Sequence, residues 1–297
     1  MSAKKLNYLL FLLIVLFWGG SFIAIKYVVQ DWPPVFSAAA RVALSLIVFA
    51  VYSVYLKKDL TLPFSIRWRC WVAGLFALGI PFSFLFWGER VVSPGLSGII
   101  NCTLPIWTFI LSLVFFGKAT NATPLKVIGL ACGLIGVVVI FYPMLHFTNA
   151  HAEILGSLAV LVMVLSYAVA SILGQYLFGN ARKIDFYASL YHQHWSALVY
   201  LVLASLLLEK WPNVHEIFLF KPLMATIYLA VFSTAIAWFF YYYLIREWGA
   251  VRTSTVAYLI PIVALLGDFI LFHTAPTLSE MIGVAIIIPS VIVIQFL

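Results

Sequence analysis

Charge is scarce in this sequence of 297 residues: Asp, Glu, Lys and Arg together make up 9%, whereas hydrophobic residues make up 65%. A soluble globular chain carries about 25% charged and about 45–50% apolar residues. The composition therefore excludes a soluble domain and predicts an integral membrane protein.

Cysteine is also scarce. The three present lack a CxxC pair and lie in or beside apolar stretches (Cys70, Cys102 and Cys132), which favours packing over a disulfide or metal site.

What the sequence does contain is a series of apolar runs, each long enough to cross a bilayer core of about 30 Å as a helix of roughly 20 residues. We predict about ten spans, near residues 7–28, 34–56, 69–90, 94–116, 124–142, 154–178, 185–208, 222–245, 251–272 and 279–297. The first run is too long for a signal peptide and no cleavage site follows it, so we expect it to be retained. The connections are short, so we expect no active site outside the membrane.

The basic residues predict the orientation. With a cytoplasmic N-terminus, twelve Lys and Arg residues fall on the inner side and three on the outer side: Arg90, Lys210 and Lys221. This positive-inside bias supports an even number of spans with both termini in the cytoplasm. The net charge of +7 then reflects topology, and no nucleic-acid-binding patch is predicted.

A weak internal repeat relates the two halves of the chain. The run LFWGGSFIAIKYV (16–28) aligns with LSYAVASILGQYL (165–177), and SGIINCTLPIWTFILSL (97–113) aligns with TSTVAYLIPIVALLGDF (253–269). Five helices per half is an odd number, so the second copy would cross the membrane in the opposite sense, as in the inverted repeats of secondary transporters. Pro105 and Pro261 occupy matching places and are expected to kink their helices, either to line a cavity or simply for packing.

These segments together resemble the EamA-type family of the drug/metabolite transporter superfamily, including its YddG-like amino-acid and metabolite exporters. The resemblance rests on WGGSFIAIK in the first helix, on the two Pro-Ile helices, and on the Gly-rich GLACGLIGVVVI and GVAIIIPSVIVI that close the halves. It implies an all-α membrane fold of ten helices in a five-plus-five inverted repeat, with repeats 1–148 and 149–297 around a central cavity. The chain departs from the family at FFGKAT and LFHTAP, where the family often has Gly-Glu.

An aromatic face with a polar end is predicted in each half. Trp18, Phe22 and Lys26 are spaced at i, i+4 and i+8, so they share one face of a helix. The same spacing recurs as Tyr167, Ser171 and Gln175. Lys26 either lines the cavity with these residues or snorkels to the interface.

Charges within the spans are costly, so each needs a partner or a function. Arg41 lies about 9 Å into its helix, too deep for easy snorkelling. It either pairs with Asp268 or Glu89, or binds an anionic group of the substrate. Asp268 is either a partner of Arg41 or Lys26 or a protonatable coupling residue, and Glu89 and His194 are further candidates for an ion pair or for proton coupling.

Other polar and aromatic residues are weaker candidates. His192 and His194 point about 200° apart on a helix, so they do not share a metal ion; one of them is expected to face the cavity as a pH-sensitive group. Asn101, one turn before Pro105, binds either substrate or a neighbouring helix. Depth and resemblance add Trp107 and Trp238 to the predicted cavity.

The sequence therefore predicts a secondary transporter of the bacterial inner membrane that moves a small amphipathic metabolite by alternating access. Export of amino acids is the first hypothesis; lipid-linked, nucleotide-sugar and drug-like substrates are alternatives. No GxxxxGK[ST] loop is present, so ATP hydrolysis is not expected. We expect no cofactor and no metal, protons as optional coupling ions, and a monomer or homodimer. A membrane-embedded enzyme would need clustered acids and histidines, which the sequence does not supply.

Overall fold

The computed structural model describes residues 3–120, 123–142, 150–179, 184–263 and 277–296. Within these ranges the chain is almost entirely helical and contains no strand. The first half contains α1 Ala3–Gly19, α2 Ser21–Asp31, α3 Pro34–Tyr55, α4 Phe64–Gly74, α5 Ile80–Gly88, α6 Pro94–Asn101, α7 Leu104–Phe116 and α8 Pro124–Phe141. The second contains α9 Ala150–Phe178, α10 Phe186–Leu208, α11 Val214–Ile217, α12 Phe220–Ala230, α13 Ala237–Trp248, α14 Ala250–Ser254, α15 (256–263) and α16 Leu278–Phe296.

Seven helical segments of the described ranges are long and apolar enough to cross a membrane. They are Lys4–Asp31, Pro34–Tyr55, Phe64–Gly88, Leu96–Phe116, Ala152–Phe178, Phe220–Trp248 and Leu278–Phe296, with shorter apolar helices at Pro124–Ile140 and Ala250–Val263. The 23-residue α10 is not among the seven; its first half carries His192, Gln193 and His194, which lower its hydropathy. The predicted all-helical membrane class is confirmed, whereas the count of ten spans stays a prediction.

The first span is broken at the two glycines of its WGGS sequence. α1 ends at Gly19 and α2 begins at Ser21. A Cβ on Gly20 would lie 2.8 Å from the Tyr228 hydroxyl oxygen, and one on Gly19 would lie 2.8 Å from Cγ1 of Val263. The missing side chains therefore allow α12 and α15 to approach the first span closely.

Two spans contain a short π-helical segment. Leu75–Gly79 joins α4 to α5, and Val231–Ile236 joins α12 to α13. A π-turn displaces the regular hydrogen-bond ladder, so its carbonyls are available to side chains from other helices. The Ser166 hydroxyl of α9 donates to the Phe76 carbonyl (2.8 Å), and the Trp18 indole of α1 donates to the Ser233 carbonyl (2.9 Å).

The Leu96–Phe116 span is interrupted as well. α6 ends at Asn101, residues 102 and 103 form a turn, and α7 begins at Leu104. Pro105 lies in the first turn of α7, where its missing N–H leaves no ladder bond unmade. The break therefore precedes the proline rather than forming at it. In the second half the turn at Thr255 separates α14 from α15, and Pro261 lies within α15.

The two Gly-rich helices α8 and α16 pack against each other along their length. Gly129 and Gly136 of α8 provide the close approach: a Cβ at Gly136 would lie 2.8 Å from Cγ1 of Ile287. Neither helix contributes a residue to the cavity described below. Small residues on both helices, Gly129 and Gly136 of α8 and Gly283 of α16, thus allow a close helix pair beside the central bundle.

Candidate functional site: an aromatic cavity with a buried arginine

The largest group of predicted site residues meets in one cavity at the centre of the bundle. Its lining comes from α1 and α2, from α3 and α5, from α6 and α7, and from α9, α13 and α15. The lining residues are Trp18, Ser21, Phe22, Arg41, Leu85, Asn101, Leu104, Met163, Tyr167, Ser171, Trp238, Tyr241, Ala257 and Ile260. The breaks at Gly20, at residues 102 and 103 and at Thr255 therefore lie beside the cavity, where irregular backbone within a membrane protein is tolerated.

The cavity is narrow. The volume open to the centres of water molecules is about 40 Å³, and one water needs about 10–15 Å³ on this measure. A few waters therefore fit, and an amino acid does not. Admitting a metabolite requires the lining helices to separate.

Aromatic rings form one wall of the cavity. The Trp238 ring centroid lies 5.9 Å from that of Trp18, 5.7 Å from that of Tyr167 and 5.5 Å from that of Tyr241. These are the tilted and edge-on arrangements that aromatic pairs prefer. The wall thus offers flat apolar surfaces together with hydroxyl and indole groups.

Trp18 is held in place by the π-segment of the opposite half. Its indole nitrogen donates to the Ser233 carbonyl (2.9 Å). In return, the Ser233 and Tyr228 hydroxyls donate to the Phe17 carbonyl, at 2.6 and 2.9 Å. This reciprocal set joins the end of α1 to Val231–Ile236 and fixes the orientation of the Trp18 ring.

Arg41 is the charged group of the cavity, and only 3% of it is exposed. Its Nε donates to the Thr234 hydroxyl (2.7 Å) and its Nη2 to the Ser233 carbonyl (3.4 Å). The guanidinium carbon lies 4.0 Å from the Phe82 ring centroid. Within the described ranges the ion pairs are Lys58–Asp185 and Arg246–Glu247, so no described acid neutralises Arg41.

Two hydroxyls and an amide supply further polar groups. The Ser171 and Tyr241 hydroxyl oxygens lie 2.9 Å apart, and Ser171 donates to the Tyr167 carbonyl (2.8 Å). Asn101, at the last residue of α6, lines the cavity. These groups and the guanidinium give the cavity both donors and acceptors around an apolar centre, as small-molecule sites require.

Tyr241 was not predicted as a cavity residue, and Ser171 was predicted only as part of the face that it shares with Tyr167. Ser171 follows Tyr167 by one helical turn and Tyr241 follows Trp238 by three residues, so both share a face with a residue that was predicted. This spacing was the available signal for both.

Several predicted residues lie outside the cavity lining. The Lys26 ammonium donates to the carbonyls of Glu89 (2.6 Å) and Val92 (3.4 Å). The Gln175 amide oxygen accepts from the Ala250 N–H (2.7 Å). Trp107 packs against the buried core. The predicted face of Trp18, Phe22 and Lys26 therefore lines the cavity with its two aromatic residues, whereas its polar end bonds elsewhere.

The histidines also lie elsewhere. The His192 ring, in the second turn of α10, is 3.0 Å from the Leu60 carbonyl oxygen. His194 is buried between the Ser45 hydroxyl (3.0 Å) and the Leu190 carbonyl (2.7 Å). Neither lines the cavity: His194 packs against α3, and His192 faces the connection between α3 and α4.

The two acids predicted as partners of Arg41 are Asp268 and Glu89. Asp268 lies outside the described residues. Glu89 is fully buried just past the end of α5 and does not contact Arg41 as an ion pair. No group of three or more His, Cys, Asp and Glu side chains that could hold a metal occurs in the described part of the chain.

The sequence matches the profile of the EamA-like transporter family twice, over residues 5–142 and 154–296. The chain is 27% identical over 289 residues to an "uncharacterized transporter" of Archaeoglobus fulgidus, covering 95% of this chain and 96% of that protein. It is 27% identical over 289 residues to protein PagO of Salmonella typhimurium, covering 94% and 90%. It is 24% identical over 250 residues to the "uncharacterized inner membrane transporter YedA" of Escherichia coli K12, covering 84% and 77%.

A solved crystal structure shares the fold. It superposes with a TM-score of 0.79 at 19% identity, covering 98% of each chain. Together with the two profile matches, this accounts for nearly the whole length of the protein. The chain belongs to the EamA-like transporter family of the drug/metabolite transporter superfamily and is a multi-pass membrane protein.

Proposed function

We propose that this protein is a secondary transporter that carries a small amphipathic metabolite with an anionic group, with amino acids as the leading substrates. The observation that carries the proposal is Arg41: a buried guanidinium at the edge of an aromatic cavity, with no described acid beside it. A guanidinium suits carboxylates and phosphates because it donates two parallel hydrogen bonds. The tryptophan and tyrosine rings suit an apolar side chain at the other end of the same ligand.

Alternating access between two inverted five-helix repeats is part of the proposal. Two observations support it: the family profile matches each half, and each half carries a π-segment in its third span. The first helix of either half donates to the π-segment of the other, from Ser166 to Phe76 and from Trp18 to Ser233. A pseudo-twofold axis through the cavity would relate these two hydrogen bonds.

Rocking of the halves would open the cavity to each side in turn. The narrow cavity is consistent with a state between these openings. We further propose the bacterial inner membrane as the location, as for the named relative YedA, and export as the direction, as the family resemblance implies. Lipid-linked, nucleotide-sugar and drug-like substrates remain the alternatives.

Counterflow in liposomes tests the proposal. Purified protein is reconstituted with one unlabelled amino acid inside at high concentration, and uptake of the labelled compound is followed for each amino acid in turn. Transient accumulation that saturates with concentration is the expected result. Its absence for every amino acid, with folded protein in the same liposomes, would overturn the amino-acid assignment and move the screen to phosphate-bearing metabolites.

A matched pair of variants tests the role of Arg41. Arg41→Lys keeps the charge but loses the planar pair of donors, whereas Arg246→Lys makes the same change at an exposed ion pair. Counterflow that fails in Arg41→Lys and persists in Arg246→Lys supports direct binding. Equal counterflow in both would remove Arg41 from the substrate site.

A further inference from the structure

Glu89 differs from Glu280, which is also buried, and from the partly buried Glu209. It directly follows the Phe64–Gly88 span and is completely buried. Neither oxygen of its carboxyl group has a hydrogen-bond partner. By contrast, Glu209 accepts the backbone N–H groups of Val35 and Phe36, both at 2.9 Å.

Glu280 gives a second comparison, since it is also buried. Its carboxylate accepts the Thr277 N–H at 2.6 Å, at the start of α16. Glu209 and Glu280 are thus ordinary helix-capping carboxylates, whose charge is stabilised by backbone donors. Glu89 has no comparable structural task that would require it to be charged.

One cation lies next to Glu89. The Lys26 ammonium of α2 bonds to the main-chain carbonyl of Glu89 (2.6 Å) rather than to its carboxyl group. It also interacts electrostatically with that carboxyl group, as does the Ser97 hydroxyl of α6. The Ser97 hydroxyl is itself buried without a hydrogen bond that meets ordinary geometry.

Other charged residues lie on the elements around Glu89, and neither of the arginines among them forms an ion pair with its carboxyl group. Arg90 follows it in the chain and is exposed. Arg41 of α3 lies 6.0 Å from the Phe86 ring centroid and forms no ion pair with Glu89. On α9, Glu153 is three residues before Gly156, where a Cβ would lie 3.4 Å from the Gly88 carbonyl oxygen; it is part of the same helix packing.

This environment balances two states of the carboxyl group. Burial without hydrogen bonds makes the ionised form costly, and binding a proton removes that cost. The nearby ammonium acts in the opposite sense, because it stabilises a carboxylate. The Ser97 hydroxyl can accept from the protonated acid or donate to the ionised one. Small movements of Lys26 or Ser97 therefore decide which form is favoured.

Both neighbours of Glu89 are connected to the cavity along a helix. Lys26 is four residues after Phe22 on α2, and Ser97 is four residues before Asn101 on α6. Four residues are about 6 Å, roughly one helical turn. Phe22 and Asn101 line the cavity, so a shift of either helix alters the cavity and the surroundings of Glu89 together.

We propose that Glu89 is a proton-binding site that couples the state of the cavity to protonation. In the protonated state the carboxyl O–H bond is intact and Lys26 remains on the main-chain carbonyls. On loss of the proton to water, the carboxylate attracts the Lys26 ammonium and Ser97, which draws α2 and α6 together at that end. One proton is bound and one is released per cycle, and no covalent bond other than the carboxyl O–H forms or breaks.

An infrared titration tests proton binding without any substrate. Protonated carboxyl groups have a C=O stretch that is separate from the bands of carboxylates and amides. Purified protein in nanodiscs is titrated with pH, with Glu89→Gln and the control Glu209→Gln compared with the unchanged protein. We expect a carboxyl band that titrates and is lost only in Glu89→Gln. A band that persists in Glu89→Gln, or no titrating band at all, would overturn the proposal.

Lys26→Met provides a second variant for the same measurement. Removing the ammonium takes away the stabilisation of the carboxylate, so the midpoint of the Glu89 band should move to higher pH. An unchanged midpoint would mean that the Lys26 ammonium does not stabilise the Glu89 carboxylate, contrary to the proposed coupling.

The transport arm of the test rests on the proposed function. For an amino acid that gives counterflow, Glu89→Gln should retain counterflow and lose the stimulation of net flux by a pH gradient. Stimulation that persists in Glu89→Gln would overturn the coupling. Absence of counterflow in the unchanged protein would instead contradict the proposed substrate class, and the infrared result would still decide whether Glu89 binds a proton.

Discussion

The guanidinium carbon of Arg41 lies 4.0 Å from the centroid of the Phe82 ring, and both residues are buried. The ring face supplies part of the stabilisation that an acid would give in an ion pair, about 2 kcal/mol or more when the pair is desolvated. The guanidinium edge remains available to hydrogen-bond acceptors. Arg41 is thus held in position without neutralising its charge.

Phe82→Leu should destabilise the protein, because Leu fills much of the same space but lacks the negative ring face. Phe86→Leu is the matched control, since the Phe86 ring is farther from the guanidinium, at 6.0 Å. We expect Phe82→Leu to lower the free energy of unfolding by about 1–2 kcal/mol more than Phe86→Leu. Thermal melts in the same detergent measure this; equal melting temperatures would contradict a role for the ring in holding Arg41.

Arg41→Lys should reduce counterflow at least about tenfold. A charge-assisted hydrogen bond contributes about 1.5–3 kcal/mol, and each 1.4 kcal/mol is a factor of ten in affinity. The loss should be found in half-saturation concentration as well as rate, because binding is affected. Arg246→Lys controls for general effects of the exchange, and full activity of Arg41→Lys would exclude bidentate recognition.

Trp18→Phe should weaken the joint between the two halves. The change keeps an aromatic ring and removes the indole N–H that donates to the Ser233 carbonyl, a loss of about 1 kcal/mol. Trp107→Phe, outside the cavity lining, is the comparison. Counterflow rate and melting temperature should both fall more in Trp18→Phe, and the reverse order would argue against this contact.

Gly20→Ala should displace Tyr228, since the new Cβ would lie 2.8 Å from its hydroxyl oxygen but 3.5 Å from the ring carbon that bears it. Removing the hydroxyl with Tyr228→Phe should therefore relieve most of the clash, although it also removes the bond to the Phe17 carbonyl. A double-mutant cycle on melting temperature gives the coupling between the two sites. Additive effects would show that the clash is absorbed elsewhere.

The spacing of residues in the sequence predicts which face of a helix lines the cavity. It does not predict how far along the helix that lining extends. Trp18 and Phe22 share a face and both line the cavity. Lys26 continues that face, but lies one turn farther along and donates to carbonyls of the connection between α5 and α6 instead. Gln175 is two turns beyond Tyr167, about 12 Å, and meets the start of α14. Periodicity alone contains no information about depth.

The same limit of sequence patterns explains why some cavity residues were not predicted. Tyr241 lies in WFFYYYL (238–244), where every residue but the last is aromatic, so the sequence does not indicate which ring faces inward. The π-segments have no recognised sequence signal either, because their extra residue is accommodated by packing. The membrane class, by contrast, follows directly from hydropathy, which depends only on composition along the chain.

The π-segment Val231–Ile236 has a consequence for insertions and deletions in this span. A π-turn holds one residue more than the α-turn it replaces. Deleting one residue there would restore a continuous α-helix and rotate everything after it by about 100°. Trp238 and Tyr241 would then turn away from Trp18 and Tyr167 while the hydropathy of the span stayed the same. The one extra residue of the π-turn thus sets the rotation of α13 that points Trp238 and Tyr241 into the cavity. Substitutions elsewhere in the span cannot restore that rotation once the residue is deleted.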